Sequence, residues 1–315
     1  MSNTSFQIKA RDGYLLTCTY FEASNSKAQI EQVIMIYPAV GVKRGFYGPL
    51  AKYLSQSGFH VYTIDYRGMG DSGDPKLVND GMYTWATLDM NALQMYVSEK
   101  HKKADYHIIG HSGGGWLLGF IKPLANLKSL TFLNVGDGYF NSFPFPKNLQ
   151  IYLSWKFLIP YAIKKHGVLP TSKSYYGTTL PKNIALDWAT YGLKKDFIED
   201  FSLNPRGAYL SAYMIPKLAI SFSDDEVLGI KSIKSILKKL DANDLTHVHV
   251  QPKEIGEKEM GHFGFLKPGQ RKNLWPRLVE WIQTGKFPQV KIETTANLEM
   301  KSVRTKILKE RTQIN

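Results

Sequence analysis

The chain has a single cysteine, Cys18, among its 315 residues. It therefore cannot form an internal disulfide or a cysteine-rich zinc site, which fits a reducing compartment. The first residues lack the charged-then-apolar layout of a signal peptide. No apolar run reaches the roughly 18 residues that a membrane-spanning helix needs. These absences predict a cytoplasmic protein without a stable membrane anchor.

Acidic residues are fewer than basic ones, and the net charge is +13 at pH 7. The basic residues are spread along the chain, with groups at 100–103, 164–165, 194–195 and 231–239. None of these groups forms a dense basic arm, and no nucleic-acid-binding motif accompanies them. We therefore expect a solvated basic surface and no nucleic-acid partner. The alternative is weak attraction to anionic lipids or substrates.

Short apolar runs rich in β-branched residues alternate with helix-like stretches. The runs lie at 33–37, 60–65, 106–110, 130–135, 218–222 and 247–250, and the helical patterns at 46–57, 84–100 and 275–284. This alternation predicts an α/β fold with a mostly parallel, doubly wound sheet. Two earlier runs, 6–10 and 14–20, flank Asp12-Gly13 and predict an antiparallel hairpin at the sheet edge.

The regular alternation breaks between about 136 and 215, in a stretch rich in aromatic residues and proline. We expect an inserted helical lid that shapes a substrate pocket, with one more packing layer as the alternative. Within it, 151–163 reads as a buried core helix rather than a membrane-surface helix. The predicted organisation is a core of 1–136 and 216–287, a lid of 137–215 and a polar tail of 288–315. The tail is expected to be a frayed helix or a disordered end.

The run Gly110-His111-Ser112-Gly113-Gly114 follows a predicted strand and precedes a helical stretch. A sharp strand-to-helix turn lifts a serine hydroxyl above the sheet edge, and the close backbone approach requires flanking glycines such as Gly110 and Gly114. The sequence therefore predicts that Ser112 is a nucleophile. A glycine-rich phosphate-binding turn is the alternative, but the lysine of a P-loop does not follow.

A serine nucleophile needs a base, and the base needs an orienting acid. His262 lies in a glycine-flanked loop beyond the last predicted strand and is the expected base, whereas His111 is too close in sequence to point back at Ser112. The acid is expected after the strand at 218–222. Asp225 is favoured there and Asp224 is the alternative, since one of the two can instead cap a helix.

The developing oxyanion needs two N–H donors. We expect one from the backbone of Gly113, directly after the nucleophile. The other is expected from the loop after the run 33–37, where Ala39 is favoured because Pro38 has no N–H.

These motifs, together with the run Asp65-Tyr66-Arg67-Gly68-Met69-Gly70-Asp71-Ser72 and with Gly261-His262-Phe263-Gly264, resemble the α/β-hydrolase superfamily in its serine esterase, lipase and aminopeptidase-like branch. The resemblance covers roughly residues 5 to 285. It implies an α/β-hydrolase fold, a Ser112-His262-Asp225 triad, a lid inserted after the sixth strand, and no metal or organic cofactor. Many relatives carry His-Gly where this sequence has Tyr37-Pro38.

The expected reaction is cleavage of a small-molecule carboxylic ester through an acyl-enzyme intermediate, with an apolar or aromatic acyl group. Peptidase, thioesterase and acyltransferase activities remain open on the same scaffold. An aspartate-nucleophile dehalogenase or epoxide hydrolase is disfavoured, because serine occupies the turn. A catalytically silent binding module and a membrane-surface protein are the alternatives from other classes. The oligomeric state is not readable from the sequence.

Overall fold

The protein is described from a computed structural model over residues 3–24, 28–170, 177–197, 214–239 and 244–288. Its strands are β1 (Asn3–Lys9), β2 (Leu15–Phe21), β3 (Gln32–Tyr37), β4 (His60–Ile64), β5 (Asp105–His111), β6 (Leu127–Leu133), β7 (Val168–Leu169), β8 (Leu180–Pro181), β9 (Lys217–Phe222) and β10 (Leu245–Val250). Its helices are α1 (Gly48–Gln56), α2 (Met82–Thr84), α3 (Asn91–Lys100), α4 (Gly113–Leu117), α5 (Lys147–Leu153), α6 (Ile159–His166), α7 (Lys182–Leu193), α8 (Ile230–Lys239) and α9 (Leu274–Thr284). Nearly all of the predicted tail lies outside the described residues.

Eight strands form one sheet in the order β1-β2-β4-β3-β5-β6-β9-β10. All neighbouring pairs from β4 to β10 are parallel, whereas β2 pairs antiparallel with both β1 and β4. The mostly parallel sheet predicted from the apolar runs is confirmed, and so is the edge hairpin. Lys9 pairs with Leu15 on either side of Asp12-Gly13, and Gly13 has a φ of 90° that favours glycine.

The sheet is covered on both faces, which explains the continuous apolar runs of its central strands. Val33 and Met35 of β3 belong to one buried layer, which also contains side chains of α3 and α8. Ile34 and Ile36 belong to the other layer, which contains side chains of α1 and α9. Helices on both faces are the doubly wound arrangement that the sequence predicted. Because the central strands are parallel, their carboxyl ends all lie at one edge of the sheet.

Between β6 and β9 the chain leaves the sheet and forms α5, α6 and α7. A π-helical turn at Ser154–Leu158 joins α5 to α6, so that 147–166 is one continuous helical segment. The expectation of a core helix over 151–163 is wrong, because only Ile163 is buried in this segment. The segment is apolar on its outer face as well as its inner face, and a helix that is apolar all round reads as buried.

No helix within the described ranges is long and apolar enough to span a lipid bilayer.

Candidate active site

Ser112 sits at the turn between β5 and α4, with a φ of 50° and a ψ of −121°. A positive φ is unfavourable for a residue with a side chain, so the surrounding structure must hold this turn in place. The Ser112 N–H donates to the carbonyl of Leu133 at 2.9 Å, and the Gly115 N–H donates to the carbonyl of Ser112 at 2.9 Å. The serine is therefore fixed on both sides at the carboxyl edge of the sheet.

The glycines around Ser112 are required by backbone contact. A Cβ at Gly110 would lie 2.5 Å from the Cα of Gly115, and a Cβ at Gly114 would lie 2.3 Å from the carbonyl oxygen of Pro38. Both distances are shorter than any side-chain carbon tolerates, and the neighbouring atoms are backbone. The spacing of the motif thus reflects how tightly α4 packs against β5 and against the loop after β3.

His262 and Asp225 form a buried pair, with 2.8 Å between His262 Nδ1 and Asp225 Oδ2. The other carboxylate oxygen of Asp225 accepts the N–H groups of Val227 and Leu228, each at 2.8 Å. Asp224 instead accepts the N–H of Met260 at 2.8 Å. The two acids therefore have different partners: Asp225, which the sequence favoured, contacts the imidazole, whereas Asp224, the alternative, does not.

Ser112 and His262 line one cavity of about 280 Å3. Its walls are mostly apolar and come from the loop after β3, from α4, from the insertion and from the loops after β9 and β10. They include Val40, Trp116, Phe143, Ile151, Trp155, Trp188, Leu228 and Phe263. Glu226 and Lys147 are the charged residues of the wall. The sequence-predicted serine and histidine are thus brought together beside a largely apolar space.

A chain of hydrogen bonds runs behind the site from Ala39 to His262. The Ala39 N–H donates to the Tyr47 hydroxyl at 2.8 Å, and this hydroxyl lies 2.8 Å from His111 Nδ1. His111 Nε2 lies 3.2 Å from the carbonyl oxygen of His262, which can only accept, so the ring proton is on Nε2. Burial and the neighbouring His262 imidazole hold the pKa of His111 well below its usual range. His111 is therefore neutral and anchors the backbone of His262.

The bond to Tyr47 corrects the expectation for the second oxyanion donor. The Ala39 N–H is already donated to the buried Tyr47 hydroxyl, so it does not face the reacting group. The next amide along the loop lies close to Gly113, since the Val40 nitrogen is 3.4 Å from the position a Cβ would take on Gly113. Among the described residues nothing accepts a hydrogen bond from the Val40 N–H.

Asn134 is a residue of this site that the sequence reading missed. It follows β6 directly, is buried, and has a φ of 45°. Its Nδ2 donates to the carbonyl oxygen of His262 at 2.6 Å, beside the bond from His111. Its place immediately after a parallel strand was the one available signal, because such ends converge at the site edge.

The run from Asp65 to Ser72 supports the site from behind. Arg67 is buried, and its guanidinium contacts Asp89 at 2.8 Å as well as Asp12 and Asp80. The neighbouring Tyr66 hydroxyl donates to the carbonyl oxygen of Pro38 at 3.2 Å. The run therefore holds the loop that carries Ala39 and Val40, and its residues line no part of the cavity.

Glu31, His60 and His101 are the group within the described ranges whose donor atoms lie close enough to share a metal ion. They are at the amino ends of β3 and β4 and after α3, at the sheet edge opposite Ser112. His101 Nδ1 is 3.0 Å from the Glu31 carboxylate, and the other ring nitrogen of His101 is 2.7 Å from the Tyr62 hydroxyl. This group is no part of the Ser112 site.

The order and directions of the strands, with the insertion between β6 and β9, are those of the α/β-hydrolase fold. The described part of the chain therefore has the α/β-hydrolase fold. Residues 28–119, which include Ser112, match the family model described as serine aminopeptidase, S33. No curated protein matches the chain in sequence.

Solved structures with this fold include enzymes of named activity. A soluble variant of monoglyceride lipase from Saccharomyces cerevisiae, in complex with a substrate analog, has a TM-score of 0.65 at 14% identity, over 90% of this chain and 97% of that one. A thermostable carboxyl esterase from Bacillus coagulans has a TM-score of 0.59 at 14% identity, over 90% and 98%. An esterase from Exiguobacterium antarcticum has a TM-score of 0.58 at 17% identity, over 89% and 100%. At such identities the likeness concerns the fold.

Proposed function

We propose that the protein is a serine hydrolase that cleaves carboxylic esters with small apolar acyl groups. The observation that carries the proposal is the pairing of His262 with Asp225 on the cavity that Ser112 also lines. A nucleophile, a base and an acid that orients the base are the three parts that acyl transfer from serine requires. The fold adds support, since solved structures of esterases and of a lipase share this fold.

In the first half of the reaction the Ser112 oxygen attacks the ester carbonyl while His262 takes the hydroxyl proton. Asp225 holds the imidazole through Nδ1 and stabilises its charged form, and it stays ionised itself. The tetrahedral intermediate collapses, the carbon–oxygen bond to the alcohol breaks, and His262 gives its proton to the leaving alcohol. In the second half, water attacks the acyl-enzyme with His262 again as the base, and the acid product leaves Ser112.

The proposed oxyanion donors are the backbone N–H groups of Gly113 and Val40. Gly113 begins α4, where the first amides of a helix have no acceptor within the helix. Val40 replaces Ala39 in this role, because the Ala39 N–H is engaged by Tyr47. Two fixed amides aimed at a developing negative charge stabilise it without reorganisation during the reaction.

The cavity favours an ester over a peptide with a free amino terminus. An aminopeptidase substrate carries an ammonium group that needs a carboxylate facing the cavity. Glu226 is the acidic residue of the wall, and its carboxylate accepts the His262 N–H at 3.3 Å and lies beside Gly261. It is thus turned toward the backbone. A volume of about 280 Å3 is near the lower limit of about 300 Å3 for small-molecule sites, which favours a short acyl group.

A fluorophosphonate probe tests the nucleophile. Wild-type protein is expected to be labelled, and Ser112→Ala is expected to resist labelling while keeping its far-ultraviolet circular dichroism. Ser142→Ala is the matched control, because Ser142 is a partly exposed serine that hydrogen-bonds Asp137 in the insertion. Labelling that persists in Ser112→Ala would refute the assignment. Wild-type protein that is folded and never labelled would instead indicate a binding module.

The reaction is tested with p-nitrophenyl esters of increasing chain length alongside aminoacyl anilides. We expect turnover of the short esters, a decline with chain length, and much slower cleavage of the anilides. Faster cleavage of the anilides than of every ester would favour the peptidase alternative.

A further inference from the structure

The outer face of the helical segment 147–166 carries large apolar side chains that are open to solvent. Together with Phe145, which precedes the segment, they have exposed fractions between 43% and 78%. We call this set the apolar ridge; its members are Phe145, Leu149, Leu153, Phe157, Leu158 and Tyr161. Contiguous exposed apolar surface on this scale marks an interaction site rather than ordinary surface.

Five of the six members of the ridge recur every four residues, from Phe145 to Tyr161, and the sixth, Leu158, adjoins Phe157. Side chains four apart lie one above another on a helix, and the π-helical turn at Ser154–Leu158 makes room for one extra residue without breaking the line. The opposite face of the same segment supplies Ile151 and Trp155 to the cavity wall. The segment is therefore held against the cavity by one face, and the apolar residues of its other face are exposed to solvent.

The sequence stretch that contains the ridge carries charge of one sign. From 138 to 186 the sequence contains six lysines and not one aspartate or glutamate. Lys156, Lys164 and Lys165 are exposed on the segment itself. They form no ion pair with another described residue. An apolar stripe with lysines and without acids is what an anionic lipid surface attracts.

We propose that the apolar ridge and these three lysines dock the protein on the surface of an anionic phospholipid bilayer. In this arrangement the segment lies parallel to the membrane, the ridge enters the boundary between headgroups and acyl chains, and the lysines contact lipid phosphates. The segment does not cross the bilayer. A second copy of the chain fits the same face poorly, because two ridges in contact would bring two sets of lysines together, and 138–186 contains no acidic residue to pair with them.

Vesicle co-sedimentation at low salt tests the docking. The parent protein is Ser112→Ala, so that lipid hydrolysis cannot disturb the vesicles and the result does not depend on the proposed esterase activity. We expect binding to vesicles of phosphatidylcholine mixed with phosphatidylglycerol, weaker binding to phosphatidylcholine alone, and loss of binding as salt is added. No binding to the mixed vesicles would overturn the proposal.

Two sets of variants locate the surface. Lys156→Gln/Lys164→Gln/Lys165→Gln is expected to weaken binding by about 100-fold, since each lysine near an anionic surface contributes about fivefold. Phe157→Ser/Leu158→Ser is expected to weaken it by at least about tenfold. The matched controls remove exposed residues elsewhere, as Lys102→Gln/Lys103→Gln/Lys267→Gln and as Leu77→Ser/Met95→Ser.

The controls decide whether the ridge is the docking surface. They are expected to bind like the parent, and the melting temperature of every variant shows that it is folded. Equal losses in the controls and the ridge variants would overturn the assignment to this face. Light scattering of the protein without lipid tests the alternative that the ridge binds a second copy of the chain. A dimer that Phe157→Ser/Leu158→Ser converts to a monomer, with no vesicle binding by the parent, would show that the ridge binds a second copy instead.

Discussion

Asp225 Oδ2 lies 2.8 Å from His262 Nδ1, and the second oxygen of the same carboxylate accepts two backbone N–H groups. The carboxylate is therefore fixed before it contacts the imidazole. This relationship distinguishes Asp225 from Asp224, whose carboxylate accepts the Met260 N–H.

The two acids are expected to respond differently to the same substitution. Asp225→Asn should lower kcat by about 10⁴-fold, because an amide favours the wrong tautomer of the histidine. Asp224→Asn should leave kcat nearly unchanged and lower stability by at most about 1 kcal/mol, because the asparagine oxygen can still accept the Met260 N–H. Ester turnover and urea denaturation of both variants measure these effects. A larger loss of kcat in Asp224→Asn than in Asp225→Asn would contradict the assignment.

Tyr47→Phe tests whether the Tyr47 hydroxyl takes part in stabilising the oxyanion. The substitution removes the hydroxyl that accepts from Ala39 and contacts His111, and both partners are then buried without it. We expect a loss of stability of about 1–3 kcal/mol. Because the proposed donors are Gly113 and Val40, kcat should fall by less than the roughly 10²-fold that loss of one oxyanion donor costs. A fall of 10²-fold or more would place the Tyr47 hydroxyl in the oxyanion site.

Trp155→Ala tests the cavity wall. The Trp155 indole lines the cavity and packs edge-on against Trp188, with 4.8 Å between ring centroids. Its removal should enlarge the space for the acyl group. We expect the ratio of kcat/KM for long over short p-nitrophenyl esters to rise by at least about tenfold. Trp155→Phe keeps most of the wall and should leave the ratio nearly unchanged; an unchanged ratio in Trp155→Ala would mean that the acyl group binds elsewhere.

Arg67→Met should be strongly destabilising. It leaves Asp89, which is fully buried, without the guanidinium that lies 2.8 Å away. Stranding one member of a buried ion pair costs about 3–5 kcal/mol. Urea denaturation measures the loss, and Arg67→Met/Asp89→Leu should recover part of it because no buried charge remains. A double variant as unstable as Arg67→Met alone would show that the other contacts of Arg67 dominate.

His107 should make the protein less stable as the pH falls. Burial lowers the pKa of His107 to about 4, whereas an unfolded histidine titrates near 6.5. Between these values the unfolded chain takes up a proton that the folded chain refuses. The stability that His107 confers is complete above about pH 6.5 and falls by about 3 kcal/mol as the pH drops to 4.

The measurement for His107 compares wild type with His107→Gln in urea titrations across this pH range. Glutamine can still contact Ser129 and Gln32, the partners of the His107 ring nitrogens, but it does not titrate. The variant should therefore lose less stability than wild type on acidification. Parallel curves for the two proteins would contradict the assignment.

Much of the fold was predictable because its signals are local. The continuous apolar runs of β3 and β5 mark strands that are covered on both faces, and Asp12-Gly13 marks the hairpin. The position of Ser112 followed from the strand before it and the glycines around it. These features depend on backbone geometry that a few neighbouring residues determine.

The rest depends on contacts between residues far apart in the chain. That Asp225 rather than Asp224 contacts His262 depends on how two loops meet, and no spacing encodes it. The Ala39 N–H, which the sequence predicted to be an oxyanion donor, is hydrogen-bonded to the distant Tyr47 hydroxyl instead. Asn134 and His111 hold the His262 carbonyl from other strands. Nor does an apolar pattern tell which face of the helix at 151–163 is covered.

The two faces of the segment 147–166 have different surroundings. Ile151 and Trp155 bound the cavity, while Leu153, which lies between them in sequence, and Phe157, which follows Trp155 by two residues, are open to solvent. A rigid helix cannot shift on one face alone. Any tilt or translation of this segment therefore changes the volume of the cavity beside Ser112 and the position of the apolar ridge at the same time. The shape of the cavity and the shape of the exposed surface are thus mechanically coupled.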